Sequence, residues 1–430
     1  MTHTSFSSAR KISSILKIAF AIAAIAFALS AAATAQTISE IAWISDTYSG
    51  LAFDSAGNLY GVTAGGAGGG GTCNGGCGQV FELSPDSGGW TQTVLYNFVG
   101  GDDGSYPGGL VVDAAGNLYG TTSYGGSSGC GSIGCGTVFK LSRSGGDWKE
   151  TLIHVFTDTE PQDGLYAGFP LVFDAEGNLY GTTGGGGVGT FCNGGGCGVA
   201  FRLSPASGGQ WKENVLYSFP GGAAGFNALG PLTFDAKGNL YGVMQAGGDF
   251  STACGSGGCG LIFELVNTAH GWKQGILHTF HDADGHQPNA GLIFDAAGNL
   301  YGTTFSGGRF TDGLAFKLSP VSGGWKETSL YNFTGGNDGS SPTAGLAFDK
   351  LGNLYGTTAN GTLIECDNDI CGQAFELSPV AGGWKLSAQF ATPQDYYPLG
   401  GLVLGRDGNL YGTAYDNHYL TGGVAFEITP

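Results

Sequence analysis

The chain reads as an all-β protein, a seven-bladed β-propeller with four-stranded blades and an N-terminal strand closing the last blade. Three observations carry that reading. The pentapeptide Gly-Asn-Leu-Tyr-Gly occurs seven times, beginning at Gly57, Gly116, Gly177, Gly238, Gly298, Gly352 and Gly408. The spacings are 59, 61, 61, 60, 54 and 56 residues, a period that belongs to repeat architectures. Between the pentapeptides lie short apolar runs with period two and glycine-rich turns, and no stretch has helical periodicity.

One repeat supplies four strands. In the second, Gly109-Leu-Val-Val-Asp113 is a short apolar strand, and Ala114-Ala115-Gly116 turns the chain. Asn117 to Thr122 returns, and a glycine-rich loop with Cys130 and Cys135 follows. Thr137 to Ser142 is the third strand, Arg143 to Gly146 the next turn, and Trp148 to Phe156 the fourth strand. Four such strands make one propeller blade. The Asp-x-x-Gly-Asn turn recurs at Asp54, Asp113, Asp174, Asp235, Asp295 and Asp349. An aspartate there accepts backbone N–H bonds and the glycine supplies positive φ, so turn chemistry explains the series without a ligand. In the seventh copy Gly405 replaces the aspartate, with Asp407 two residues on.

Trp90, Trp148, Trp211, Trp272, Trp325 and Trp384 each open a fourth strand. They are expected as packing residues at the outer edge of the blades. The seventh repeat stops after its third strand, Val424 to Ile428. A spare strand at Ile41-Ala-Trp-Ile44 precedes the first repeat and is expected to complete the seventh blade, which removes exposed edges.

Residues 1–35 carry Arg10, Lys11 and Lys17, an apolar run from Ile18 to Leu29, and the small residues Ala33-Thr-Ala35. This is the pattern of a secretory signal peptide, so residues 36–430 are the expected propeller domain, with no membrane insertion after cleavage. Loss of the three basic residues takes the net charge from −18 to −21. Such a charge argues against nucleic acid and anionic membranes as partners. Glycine is 84 of 430 residues, yet aromatics reach 12%, which a disordered chain lacks. The ten cysteines form five local pairs, Cys73/Cys77, Cys130/Cys135, Cys192/Cys197, Cys254/Cys259 and Cys366/Cys371. In an exported chain these read as disulfides. Zinc would need about four ligands in one neighbourhood, whereas these pairs lie on separate repeats.

Alternation of strand direction puts the uniform Asp-x-x-Gly-Asn and Ser-Pro turns on one face. The loops between second and third strands and the links between blades share the other. The cysteine loops run 19 to 21 residues from pentapeptide glycine to third-strand Phe, against 14 in repeats 5 and 7, which lack cysteine. The links are acidic, with Asp102, Asp103, Asp163, Asp282, Asp284 and Asp338. Variable loops on a rigid scaffold are where binding lives, so these aspartates and His286 are the candidate ligand-binding residues. The cluster His278, His281, Asp282, Asp284 and His286 includes a part-match to a calcium loop, without its later bidentate Glu. His281, Asp282, Asp284 and His286 are therefore weak metal candidates, with calcium as the ion to test and a solvated turn as the alternative.

The strings Leu330 to Asp349, Gly352 to Thr358 and Gly136-Thr-Val-Phe-Lys-Leu141 closely resemble the GloVer tandem repeat of choice-of-anchor bacterial proteins. The resemblance covers essentially the whole mature chain. It implies an exported, often surface-anchored bacterial protein with no established activity. No sorting helix or basic tail follows Pro430, so free secretion or a periplasmic location is expected beside the cell surface. A weaker likeness, through Asp-x-x-Gly-Asn-Leu-Tyr, is to NHL-type and gluconolactonase-type propellers. The expected function is a non-catalytic extracellular binding or scaffold module, acting as a monomer on a polysaccharide or a surface protein. The alternatives are a metal-dependent hydrolase or lactonase with a central-channel site, and a purely structural surface protein. No catalytic residue is assigned: a channel enzyme needs carboxylate or amide ligands that break the repeat on the innermost strands, and no nucleophile-elbow or zinc-protease motif is present.

Overall fold

In the computed structural model seven antiparallel blade sheets follow one another along the chain, and a separate two-stranded pair, Gly164–Leu165 with Gly185–Gly186, accompanies the third. It describes residues 37–45, 47, 49–65, 73, 76–126, 130–131, 133–157, 163–192, 195–361, 371–392, 396–416 and 422–430. The leader expected at 1–35 lies outside them. In blade 2 the strands Ser105–Val112, Leu118–Tyr124, Thr137–Ser144 and Asp147–Val155 pair in sequence order. The other blades repeat this pattern. Blade 7 lacks its own fourth strand: after Leu410–Asp416 and Gly423–Thr429 the outermost place is taken by Thr37–Ile44. The N-terminal strand thus closes the ring as its sequence predicts. Among the described residues no helix is long and apolar enough to cross a membrane.

Every residue of the pentapeptide has a physical task. The first glycine sits at φ between 80° and 96° in all seven copies, which only glycine adopts freely. The leucine is fully buried, 0% exposed each time. The second glycine lies under the third-strand phenylalanine: a Cβ on Gly181 would come within 2.7 Å of the Phe201 ring. The asparagine and tyrosine complete a network around the turn aspartate. Asp174 Oδ1 accepts the N–H groups of Glu176 (3.0 Å) and Asn178 (2.8 Å). Its Oδ2 accepts Asn178 Nδ2 (2.7 Å) and the Tyr180 hydroxyl (3.0 Å). The same four bonds form at Asp54, Asp113, Asp235, Asp295 and Asp349. In blade 7, Asp407 takes over the tyrosine bond, Tyr411 donating at 2.7 Å, and its Oδ1 accepts Asn409 N–H.

That tyrosine also joins blades. Tyr119 of blade 2 meets Phe173 (5.2 Å) and Trp211 (5.9 Å) of blade 3, both edge-to-face. Tyr241 meets Phe294 and Trp325, Tyr301 meets Phe348 and Trp384, and Tyr411 meets Phe53 and Trp90. The fourth-strand tryptophans therefore pack between blades, against the preceding tyrosine, and do not simply cover an outer edge. At five of the joints the Phe that follows the fourth strand packs on the third-strand Phe of the next blade, as Phe156 does on Phe201. Further in, threonines donate across the joint, Thr121 to Phe169 O and Thr413 to Ser49 O.

Burial alone would push the Asp174 carboxyl up, but the bonds from Asn178, Tyr180 and Glu176 outweigh it and hold the pKa below the ordinary value. A lowered carboxylate contributes stability above its unfolded pKa and loses it as pH falls through the folded one. Asp174→Ala is therefore expected to lower unfolding free energy by about 2 kcal/mol at pH 7 in a urea titration. The difference from wild type should shrink as pH falls below about 4.

Candidate ligand-binding face

The links and the cysteine loops meet on one face of the ring. Each link turns into the next innermost strand, and there a non-glycine residue takes the left-handed region in five successive blades. These are Tyr106 (φ 55°), Tyr166 (63°), Asn227 (61°), Gln287 (57°) and Ser341 (54°). The strain is on the order of 1 kcal/mol or more for a residue with a Cβ. In four of them the backbone N–H is clamped by the preceding blade. Tyr106 donates to Cys77 O (3.0 Å), Tyr166 to Cys135 O (2.8 Å) and Gln287 to Cys259 O (2.8 Å). Blade 5 has no disulfide, and there Asp312 O accepts from Ser341 (2.9 Å). The disulfides Cys73–Cys77, Cys130–Cys135, Cys192–Cys197 and Cys254–Cys259 are formed. The expected Cys366–Cys371 pair lies outside the described residues. The second cysteine of each formed pair is at most 1% exposed. The bridge thus fixes a carbonyl that positions the neighbouring blade.

Two residues after each strained position a residue lines the central cavity, namely Gly108, Gly168, Leu229, Asn289 and Thr343, so the five form a crown around its mouth. In blade 7 the corresponding residue is Tyr397, stacked at 5.5 Å on Tyr415. Tyr124 bridges two crown residues, with its ring 5.6 Å from Tyr106 and 5.8 Å from Tyr166. Asn227 donates to Gln245 at 2.7 Å. Phe191, 51% exposed, and Phe250, 40% exposed, form a second aromatic group with Phe226 on the loops of blades 3 and 4. The cavity below has a volume of about 510 Å³ and walls mostly of Gly, Ala, Pro and aliphatic residues, with Ser49, Asn289 and Thr343 as its polar side chains; among the described residues no titratable side chain lines it.

The predicted aspartates sit in the links around this crown, and the link turn explains most of them. Asp103 accepts Val99 N–H (2.7 Å) and the Tyr96 hydroxyl (2.5 Å). Asp338 accepts Thr334 N–H and the Tyr331 hydroxyl, and Asp163 accepts Thr157 N–H beside His154 at 3.4 Å. Asp284 accepts His281 N–H and pairs with His278 at 3.2 Å. Asp102 stays exposed.

The profile of the Gloeobacter/Verrucomicrobia repeat matches residues 26–254 and 250–430. The chain belongs to the Gloeobacter/Verrucomicrobia repeat family. No curated protein matches it. Among solved structures it is similar to the extracellular domain of a candidate one-component system from B. thetaiotaomicron. The identity is 10% and the TM-score 0.54, over 90% of this chain and 39% of that one. It is also similar to a candidate 6-phosphogluconolactonase from Bacteroides uniformis, at 14% identity and TM-score 0.52, over 85% and 94% of the two chains. A candidate gluconolactonase matches at 12% identity and TM-score 0.40, over 92% and 93%. At these identities the likeness concerns the fold alone. The four formed disulfides mark this repeat-family member as an exported protein.

The weak metal candidates separate into two groups. Asp284 takes His278 and, at 3.9 Å, His281. Asp282 faces His286 at 3.6 Å, and with Cys259 they place three donor atoms within 4.8 Å. Cys259 is bound to Cys254, and a disulfide sulfur is not a thiolate ligand. Two protein donors remain, short of the set that calcium or zinc takes. The crown itself escaped the sequence reading of this repeat-family chain. Its signal was available: residues two after the link glycine are Tyr, Asn, Gln and Ser, where the framework around them hardly varies.

Two outcomes are expected. Burial, reinforced by Asp103, pushes the Glu150 carboxyl up to about 7. Burial does the same to Glu213, opposed by His154 and reinforced by Asp163, again to about 7. A raised acid stabilises the fold below its unfolded pKa and loses that as pH rises through the folded one. Glu150→Gln and Glu213→Gln should thus raise the melting temperature at pH 8 and leave it nearly unchanged at pH 5. Removing a bridge with Cys130→Ser/Cys135→Ser should cost about 2–3 kcal/mol or less, because the closed ring is small. The same variant should speed amide exchange at Tyr166, whose N–H the Cys135 carbonyl holds.

Proposed function

We propose that this repeat-family propeller is an exported, non-catalytic binding module whose ligand, an extracellular polysaccharide or a surface protein, seats on the loop face. The observation that carries this is the crown. A framework repeated almost residue for residue presents two tyrosines, Tyr106 and Tyr166, beside Asn227, Gln287 and Ser341, four side-chain types that differ in reach and chemistry, on strained backbone. Strain and variation concentrate where a scaffold meets its ligand. The link residues Asp102, Asp103, Asp163, Asp282, Asp284, His286 and Asp338 frame the face and give it an acidic rim.

The hydrolase or lactonase reading asks for carboxylate or amide ligands in the channel. The described wall offers Asn289 as its one amide and no carboxylate, which favours binding over catalysis. The protein is taken as a monomer, secreted, periplasmic or displayed at the cell surface.

The test is a thermal-shift screen of residues 36–430 against cell-wall and plant polysaccharides, with calcium, zinc and EDTA arms. A ligand that binds only the native state raises the melting temperature by mass action. A polysaccharide shift that survives EDTA is the expected outcome. A shift with metal alone, or product formation from a lactone substrate, would overturn the proposal.

A further inference from the structure

We infer that Tyr106, Tyr124 and Tyr166 form a subsite for an uncharged saccharide ring; this rests on the binding reading above and names its ligand class. The three phenol rings adjoin edge to face at 5.6 and 5.8 Å. Tyr106 is 40% exposed and Tyr166 37% exposed, so ring surface that a folded protein ordinarily covers is left open to solvent at the channel mouth.

The backbone gives an independent reason to see a site. Elsewhere in this chain positive φ is almost always given to glycine. At these two positions large aromatic rings are held there instead, clamped by the Cys77 and Cys135 carbonyls. Glycine would remove the strain, and the open part of each ring adds nothing to the packing of the fold. What tyrosine adds is a rigid apolar face with a hydroxyl at its tip, suited to a sugar ring whose C–H groups stack and whose hydroxyls bond.

Beside Tyr106 a cavity of about 210 Å³ opens between Ser49, Pro107 and Ser123. That equals roughly seven waters' share of liquid volume, on the scale of one pyranose ring. Its polar groups are serine hydroxyls, the Tyr106 phenol and the backbone of Gly108 and Gly168; among the described residues no charged side chain lines it. The links leading to the two tyrosines carry Asp102 and Asp103, and Asp163, in a chain of net charge −18. Uronate or sulfated polymers would meet repulsion with no cation to offset it, so the ligand is a neutral glycan.

The experiment is titration calorimetry of the oxidised chain with a neutral soluble β-glucan, a galactomannan and polygalacturonate, and with a mixed peptide pool titrated alone. The variants are Tyr106→Gly and Tyr166→Gly, which keep the backbone geometry. Expected are binding of a neutral polymer, none of polygalacturonate, and about tenfold weaker binding for each variant, from loss of one aromatic platform. Melting curves of both variants should show a single cooperative transition well above the titration temperature, so weakened binding cannot be ascribed to unfolding. Neutral-glycan binding that both variants retain would overturn this subsite and leave the loop-face proposal standing. Polygalacturonate binding as tight as the neutral polymers would overturn the ligand class. Heat of binding from the peptide pool titrated alone, with no binding of any glycan, would make the cleft a peptide site and overturn both saccharide readings.

Discussion

The structure depends on one buried hydrogen bond with two sides. In each blade the pentapeptide tyrosine gives its hydroxyl to the carboxylate of the turn before it and its ring to the next blade. Tyr180 bonds Asp174 and packs on Phe234. Tyr411 bonds Asp407 and packs on Phe53 and Trp90, across the point where the two ends of the chain meet. Local turn and ring assembly are thereby one interaction. A blade that failed to form its turn would misplace the ring its neighbour needs, which makes closure cooperative. Blade 7 shows how strongly that requirement acts: with Gly405 in place of the aspartate, Asp407 reaches the same tyrosine from another position in the turn.

A rigid ring of this kind leaves its loop face free to differ. The links and cysteine loops have little core of their own, and they are held by short bonds to adjacent blades. The disulfides take part in this. They do not tie distant parts together; in the Cys73–Cys77, Cys130–Cys135 and Cys254–Cys259 loops the carbonyl of the second cysteine holds the strained residue of the next blade. Blade 5 reaches the same geometry with the Asp312 carbonyl and a shorter loop. The bridges are therefore an accompaniment of longer loops, while the clamp is the shared element. The link aspartates belong to the same apparatus, since Asp103, Asp163, Asp284 and Asp338 each cap the turn that precedes a crown residue or its equivalent.

Much of this was legible beforehand, for definite reasons. Asp-x-x-Gly-Asn and Gly-Asn-Leu-Tyr-Gly are local patterns whose bonds close within a few residues, so their meaning does not wait on the tertiary fold. The spare strand at Ile41 to Ile44 could be matched to the missing fourth strand of blade 7 by counting. The tryptophans were read as packing but put at the wrong joint, because nothing in a single repeat says that Trp211 lies on Tyr119 of the blade before it. The acidic links were read as a ligand set because they vary on a constant scaffold; that Tyr96, His154, His278 and Tyr331 also hold these aspartates was not legible, since the partners stand several residues away. The histidine and aspartate cluster near His286 looked like one group along the chain and divides in two in space.

By itself, then, the sequence determined the period, the strands, the turns and the closure of the ring, since each follows from short-range chemistry repeated seven times. Only the tertiary structure decided which side chains come together across blades. Contacts such as Tyr124 with Tyr166, or Cys135 O with Tyr166 N–H, join residues from different blades. Repetition hides such contacts, because it makes every blade look alike, while a site is built from the few positions at which neighbouring blades differ.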